Sequence, residues 1–529
     1  RKEADYVKIN DKSVLDLVDM SIEKNLKFFN ELSLSESDRK KSKRIIDEIV
    51  SRLTFLRDVG LSYLTLNRKS NTLSGGETQR INLATSLGSA LVGSIYVLDE
   101  PSVGLHPEDT TRLIKILKNL KELGNSVLVV EHDEDIIRAA DEIIDLGPGA
   151  GSQGGNVIAQ GSINKLLNSD SLTVDYLTQN NLIEIPSLRR KSSNKIKLKG
   201  CRENNLKNIN VDIPLNSLVC ITGISGSGKT TLVKKILYPS LLKEKGIFKE
   251  KPGEFDNLSG NLESITSIEY IDQNPIGTSS RSNPATYIKA YDDIRTLFSN
   301  QKSSKQFNLK PKHFSFNVDG GRCDECKGEG EIKIEMQFMS DIRLKCEACK
   351  GKKFKKTVLQ VKYMDKNIDD VLNMTIDNAY DFFLNNNQTK ISNKLKCLID
   401  VGMGYVNLGQ SSSTLSGGEA QRIKLASFLL KGKNKESTLF IFDEPTTGLH
   451  FHDIKKLIKS FNFLIDFGHS IIVVEHNIDL IKSADHIIDL GPYGGDNGGQ
   501  VVFTGTPEEL VKEKKSLLSK FLKPKLSSK

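Results

Sequence analysis

One long segment of this chain occurs twice. Leu53 to Glu77 (LTFLRDVGLSYLTLNRKSNTLSGGE) aligns with Leu395 to Glu419 (LKCLIDVGMGYVNLGQSSSTLSGGE), 342 positions further on. The match resumes at Ile95-Tyr-Val-Leu-Asp-Glu-Pro101 against Leu439-Phe-Ile-Phe-Asp-Glu-Pro445, at Val129-Val-Glu-His132 against Val473-Val-Glu-His476, and at Ile143-Ile-Asp-Leu-Gly-Pro148 against Ile487-Ile-Asp-Leu-Gly-Pro492, each now 344 positions apart. Two copies of one segment predict two copies of one structural unit. The change of offset falls on Lys431 to Glu436, which reads as a lengthened loop.

Between the copies, Gly223-Ile-Ser-Gly-Ser-Gly-Lys-Thr230 fits the P-loop pattern without mismatch. The apolar run Leu218 to Ile221 precedes it and the helix-compatible run Thr231 to Leu237 follows, giving the strand, turn and helix start that the motif requires. Gly223, Gly226 and Gly228 let backbone N–H groups converge on phosphate oxygens. Lys229 reaches the β and γ phosphates, and the Thr230 hydroxyl, with Thr231 beside it, is placed to ligate Mg²⁺. ATP and Mg²⁺ are the cofactors this implies.

Each copy adds the same further chemistry. Leu-Ser-Gly-Gly-Glu, an ABC-type signature, stands at Leu73 to Glu77 and at Leu415 to Glu419. Ser74, Gly75 and Gly76, or Ser416, Gly417 and Gly418, would open a helix whose N-terminus can bind an anion. The apolar runs ending in Asp99-Glu100 and Asp443-Glu444 read as buried parallel strands with their carboxylates at the carboxyl end of a sheet. Asp99 and Asp443 are suited to holding Mg²⁺, and Glu100 and Glu444 to orienting or deprotonating the attacking water. His132 and His476 follow the next apolar run, where each could sense the γ-phosphate. Together these elements describe an ATPase that closes two half-sites on each other.

Composition permits this. At 529 residues, 37% hydrophobic and 27% charged, the chain can bury two substantial cores. No stretch approaches the apolar length of a membrane span and no signal peptide is visible, so a cytoplasmic protein is expected. The balance of 75 Lys and Arg against 67 Asp and Glu is mildly basic, which a solvated surface explains about as well as nucleic acid does.

Cysteine placement is more specific. Cys323-Asp-Glu-Cys326 and Cys346-Glu-Ala-Cys349 are separated by 19 residues, the spacing of a four-thiolate structural zinc site. Each pair runs into a Lys-Gly turn, and Glu331 to Phe338 alternates polar and apolar residues, so a β-ribbon is predicted between them. Disulfides are the competing reading and suit a secreted protein. Lys327, Lys333, Arg343, Lys345, Lys350, Lys352, Lys353, Lys355 and Lys356 surround the module and could track phosphates, or form a solvated charged ribbon. Cys201, Cys220 and Cys397 read as core.

Duplicated signatures, a zinc module inside the second nucleotide-binding domain, Asp-Glu-Pro followed by Gly-Leu-His, Asp272-Gln-Asn-Pro-Ile276 and Arg281-Ser-Asn-Pro-Ala-Thr286 together closely resemble the UvrA family, over essentially the whole chain. The resemblance implies α/β architecture: tandem P-loop ABC-type ATPase domains, the first incomplete, with a small zinc-binding β-ribbon insertion at about residues 311–357. It implies Gln273 as the loop glutamine coupling nucleotide to the inserted module. It also implies ATP-dependent recognition of bulky lesions in double-stranded DNA during nucleotide excision repair, as a homodimer that loads UvrB for incision by a separate nuclease. A UvrA-like paralogue serving drug self-resistance shares these motifs. A transporter's energy subunit or a translation-type ABC protein would not be expected to carry the four cysteines.

One departure is large: the first copy has signature, acidic strand and histidine but no P-loop, since 72 residues precede Leu73. The reading is a C-terminal portion of a longer protein, with residues 1–182 completing a first ATPase domain, 183–194 a linker and 195–529 a second domain; a natural one-site variant is the alternative. Because ABC domains pair head to tail, Lys229, Thr230, Gln273, Asp443, Glu444 and His476 should be closed by Ser74, Gly75 and Gly76. Ser416 to Gly418 would then serve Asp99, Glu100 and His132. Ser35 to Leu56 is predicted helical, with Ile45, Ile46, Ile49, Val50, Leu53 and Leu56 on one face. Lys195 to Leu215 is predicted as strands leading to the P-loop. The Gly-rich stretches Gly147 to Gly155 and Gly491 to Gly499 lack a Lys-Ser/Thr pair and read as turns.

Overall fold

Where the repeated segments lie, the same local physics acts twice, and the first half shows it in the plainer form. Ser35 accepts the Asp38 N–H at 3.2 Å and so caps helix α1 (Glu36–Leu56). Ile49, Val50, Leu53 and Leu56 turn inward, whereas Ile45 is exposed, because the helix reaches beyond the core at that end. There follow α2 (Gly75–Gly88), β1 (Ile95–Asp99), α3 (Pro107–Glu122), β2 (Ser126–Val130), β3 (Ile143–Gly147), β4 (Asn156–Gly161) and the short α4 (Leu172–Leu177). This is a computed structural model, and it describes all residues except 1, 74, 89–91, 150, 152–153, 170, 179–182, 278, 280, 337–340, 432–436 and 528–529. Ser74, most of the loop read at Lys431 to Glu436 and the ribbon residue Phe338 therefore lie outside the described residues.

In the second half the elements that matter are β5 (Lys195–Cys201), β6 (Ile209–Pro214), β7 (Leu218–Thr222), α5 (Thr231–Leu237), β8 (Asn257–Gly260), β9 (Ser267–Ile271), the ribbon β10 (Glu331–Ile334) and β11 (Ile342–Lys345), α6 (Gly417–Lys431), β12 (Thr438–Asp443), α7 (Phe451–Asp466), β13 (Ser470–Val474), β14 (His486–Gly491), β15 (Gln500–Gly505) and α8 (Ser519–Ser527). Six strands form one sheet in the order β9-β12-β13-β7-β14-β15, parallel except for β15. Every residue of β7 is buried, as a central parallel strand covered on both faces requires. The antiparallel sheet β8-β5-β6 covers one face: Ile196, Leu198, Val211 and Ile213 share a core with Val219, Ile221 and Ile236.

The first half copies the registers of the second. β1 pairs with β2 as β12 pairs with β13, and β3 with β4 as β14 with β15, down to the irregularities at Asp145/Leu146 and Asp489/Leu490. Among the described residues, however, no strand joins β2 to β3 as β7 joins β13 to β14, and none flanks β1 as β9 flanks β12. The expectation of a buried acidic strand is corrected here. Ile95, Val97, Leu128 and Val130 are 74, 66, 52 and 50% exposed, where their counterparts Leu439, Ile441, Ile472 and Val474 are at most 2% exposed. A strand face is buried only by a layer laid over it, and among the described residues the layer that β5, β6 and α5 supply to the second half has no counterpart over the first.

The halves are joined through a strapped segment. Arg189 donates to the carbonyls of Lys482 and Ala484 at 2.8 and 3.0 Å. The buried Asp485 carboxylate accepts the N–H of Arg190 and the N–H of Leu218, both at 2.9 Å, and Arg190 Nη1 at 3.2 Å. One carboxylate thus fixes the segment at Arg190 to the strand that leads into the P-loop. Asp485→Ala leaves the buried Leu218 N–H and the part-buried Arg190 N–H unsatisfied and is expected to cost about 3 kcal/mol, read as a lowered urea midpoint. A loss of less than about 1 kcal/mol would show that the strap carries no weight.

Candidate nucleotide site and metal centre

The P-loop turns from β7 into α5 with Gly223, Gly226 and Gly228 at φ of +134°, +75° and +107°. A side chain at Gly223 would place its Cβ 2.0 Å from the Leu490 carbonyl oxygen, so glycine is required by space as well as by φ. Lys229 is buried and its Nζ donates back to the carbonyls of Gly223 and Ile224 at 2.7 and 3.0 Å. Burial pulls the ammonium below its usual range, while Glu444 and Asp109 act the other way. The hydroxyls of Thr222 and Ser227 are buried and meet no partner. A left-handed cradle, a buried cation and unsatisfied hydroxyls are the donor set that a polyphosphate with Mg²⁺ fits.

The acidic strand ends beside it. Asp443 accepts the Tyr270 hydroxyl at 2.8 Å, and Gln421 donates to the Asp443 carbonyl at 2.9 Å. Glu444 has a φ of +49° and its counterpart Glu100 one of +45°, a costly backbone state held in both copies by N–H bonds to Val474 and Val130. Burial raises the Glu444 carboxyl, with Asp443 and Glu475 adding to it. Gln273 donates to Thr447 Oγ1 at 3.1 Å and lies against Gly417, so it faces its own half's signature. Ser416 accepts the Glu419 N–H at 3.2 Å while Glu419 accepts the Ser416 N–H at 2.8 Å, a reciprocal cap on α6. Gly75 and Gly76 lie in the first turn of α2.

The halves meet reciprocally across these groups. A Cβ on Gly104 would lie 3.0 Å from the Glu444 carboxylate, and one on Gly448 3.2 Å from that of Glu100. His106 stands edge to face with His476 at 6.1 Å, and His450 with His132 at 6.2 Å. Burial, aided by Lys229 and Arg112, pulls His106 down to about 3, so it stays neutral. Burial also holds His476 well below its usual range. Tyr63 and Asp109, both from the first half, lie against the P-loop at Gly226 and Ser225, and Arg80 stands near enough to act on Glu444 and His476. A cavity of about 350 Å³ runs between the halves, lined by Glu100, Glu444, His132, His476, Tyr176 and Phe521 among others. Tyr176 of α4 stacks on Phe451 at 3.4 Å and donates to Asp479, while Phe521 of α8 packs on His106 at 6.1 Å, so each half's terminal helix crosses to the other.

In the insertion, Cys323, Cys326, Cys346 and Cys349 are buried with their sulfurs within 4.8 Å of one another. Cys323 to Cys346 is 3.9 Å and Cys326 to Cys349 is 3.7 Å. A tetrahedron with metal–sulfur bonds of about 2.3 Å has edges of about 3.8 Å, whereas a disulfide would need about 2.05 Å. The four residues could therefore hold a zinc ion. Lys327-Gly328 and Lys350-Gly351 both take left-handed turns after the second cysteine of their pair, making two like knuckles.

Comparison with known proteins follows the same lines. A family model described as "AAA domain, putative AbiEii toxin, Type IV TA system" matches residues 12–137. UvrABC system protein A of Clostridium perfringens is 52% identical over 99% of this chain, which covers 56% of that protein. The Staphylococcus epidermidis protein of the same name is 51% identical over 99% of this chain and 55% of its own length. The crystal structure of UvrA2 from Deinococcus radiodurans superposes with a TM-score of 0.91 at 39% identity, covering 99% of this chain and 64% of that one.

This chain belongs to the UvrA family.

It spans about half the length of the curated UvrA relatives it matches. The fold and family are those of an ABC-type ATPase. No helix among the described residues is long and apolar enough to cross a membrane.

Sequence reasoning passed over several residues in this UvrA site. Glu475 accepts the Thr446 N–H at 2.9 Å, the His476 N–H at 2.6 Å and the Asn477 N–H at 2.9 Å; Glu131 does the same for Ser102, His132 and Asp133. Each glutamate staples the loop after the acidic strand to the loop bearing the histidine, and its recurrence in Val-Val-Glu-His was the available signal. Tyr63, Arg80, His106 and Asp109 recur in the same way as Tyr405, Arg422, His450 and Asp453, but no short chemical motif assigns any of them a role at the P-loop. Around the metal centre, Lys333 pairs with Glu335 and Asp341, Lys355 with Asp324, and Lys353 bonds the Gly409 carbonyl, so three of the nine basic residues are engaged within the fold. Cys201 and Cys220 are buried and Cys397 is half-exposed. Cys346→Ser is expected to lose one bound zinc per chain by atomic absorption and to raise protease sensitivity in the ribbon while ATP binding survives. Unchanged metal content would exclude the four-thiolate centre.

Proposed function

We propose that this chain is the ATP-hydrolysing portion of a DNA-damage-recognition protein of nucleotide excision repair. Residues 195–529 form its second ATPase domain, 183–194 the linker, and 1–182 the C-terminal part of its first. The reading is carried by a composite nucleotide site and a four-cysteine module together in a chain that aligns over 99% of its own length with UvrABC system protein A.

In the site, the N–H groups of Gly226 to Thr231 and the Lys229 ammonium bind the phosphates of ATP. Thr230 and Asp443 hold Mg²⁺, which when bound neutralises charge developing on the phosphates. Glu444, kept in a buried and strained position, orients the attacking water and accepts its proton. His476, neutral by burial, stands at the γ-phosphate end, and Gln273 links the site to the inserted module. Ser74 to Gly76 close the site from the other half. Asp99, Glu100 and His132 with Ser416 to Gly418 make a second site, whose P-loop strand would fill the gap between β2 and β3. The place of β7 between β13 and β14 in the second half supports such an occupant.

The exposed Lys327, Arg343, Lys345, Lys350, Lys352 and Lys356 on the zinc module offer contacts to duplex phosphates. The protein acts in the cytoplasm as a homodimer and delivers damaged duplex to UvrB, and the nuclease is a separate component. Fluorescence anisotropy at fixed salt should show a bulky-adduct duplex bound at least about 10-fold tighter than its undamaged counterpart, with the preference changing between ATP and ADP. Equal affinities for both duplexes in every nucleotide state would contradict the proposal.

A further inference from the structure

The Gly-rich stretches Gly147 to Gly155 and Gly491 to Gly499 carry no phosphate-binding lysine, yet each is met by a tyrosine from the opposite half. A Cβ on Gly495 would lie 2.8 Å from the Cβ of Tyr63, and one on Gly151 would lie 3.0 Å from the Cβ of Tyr405. The two tyrosines are repeat counterparts, as are the two glycines. Each hydroxyl donates at 2.6 Å to the glutamate of its own signature, Tyr63 to Glu77 and Tyr405 to Glu419. Both turns thus serve as seats for an aromatic ring that is tied to a signature helix across the interface.

The Tyr63 ring makes one further contact. A Cβ on Gly226 would lie 2.7 to 2.8 Å from three atoms of that ring, so the ring rests directly on the P-loop α-carbon. The loop comes this close because Gly226 has no side chain and sits at a φ of +75°. Gly494, at 3.3 Å by the same measure, completes the seat. Next to it the Ser225 N–H faces the Asp109 carboxylate, which Arg112 approaches at 3.5 Å. Burial and the neighbouring Glu77 keep the Tyr63 hydroxyl protonated and hence a donor.

We propose that Tyr63 is a positioning residue of the intact nucleotide site that acts from the opposite half. Its ring holds the P-loop at Gly226 against the Gly494-Gly495 turn, and its hydroxyl ties that platform through Glu77 to the signature helix. The inference rests on the reading of this P-loop and the first signature as one site. The ring and the hydroxyl then have separable effects: the ring sets the shape of the phosphate cradle, and the hydroxyl sets the register of the signature against it.

ATP titration calorimetry and steady-state hydrolysis on the intact chain, its Tyr63→Phe and Tyr63→Ala variants and the Lys229→Ala control test this, with circular dichroism and zinc content confirming equal folding. Tyr63→Phe keeps the ring and should hold KM within about twofold while lowering kcat about fivefold to tenfold. Tyr63→Ala should also raise KM for ATP about tenfold. Two variants that match the wild type, or a Phe variant that raises KM as much as the Ala variant, would overturn the proposal alone. A wild-type chain that binds ATP no better than Lys229→Ala would remove the site reading and the proposal with it.

Discussion

The structure turns on a reciprocal approach in which each half presents a glutamate to a glycine of the other. Glu444 faces Gly104 and Glu100 faces Gly448, within a few tenths of an ångström of the same geometry. Neither glycine could carry a side chain without displacing the opposing carboxylate, and both glutamates sit in a left-handed backbone state that isolated chain would avoid. The strain is stored twice at equivalent places, and the contacts around it are mutual: histidine on histidine, terminal helix over opposing cavity. On the proposed reading the nucleotide site is therefore a property of the interface, and neither half contains it alone.

Burial does the electrostatic work at that interface. It lowers Lys229, raises Glu444 and keeps His106 and His476 neutral, so the groups nearest the P-loop carry less charge than their types suggest. A polyanion arriving there offsets the burial of the lysine's charge and satisfies hydroxyls now without partners. The glutamate staples at Glu131 and Glu475 then matter because they bind the histidine loop to the loop facing the other half. A displacement at the phosphate end can reach the opposing half through two hydrogen-bonded turns.

Much of this was legible where the information is local. The P-loop, the four-cysteine spacing and the two signatures are short patterns whose physics fits within one turn or one knuckle. The exposure of Ile95 and Val97 was not legible, because an apolar run promises a buried strand only if something covers it, and what covers the second half's strands lies elsewhere in the chain. Tyr63, Arg80 and Asp109 stayed hidden for a related reason: they act on the P-loop or on Glu444 and His476, more than a hundred residues away, and nothing in their own neighbourhood marks that meeting. The repeat could have exposed them, since Tyr405, Arg422 and Asp453 are their counterparts and Glu131 has its own in Glu475.

The composite site is tested most directly by breaking the two signatures one at a time in this chain, which carries a single P-loop motif. Ser74→Arg should abolish ATP hydrolysis at the Lys229 site, while Ser416→Arg, placed in the same half as that lysine, should leave most of it. Loss confined to Ser416→Arg, or equal loss from both substitutions, would contradict a site built across the two halves.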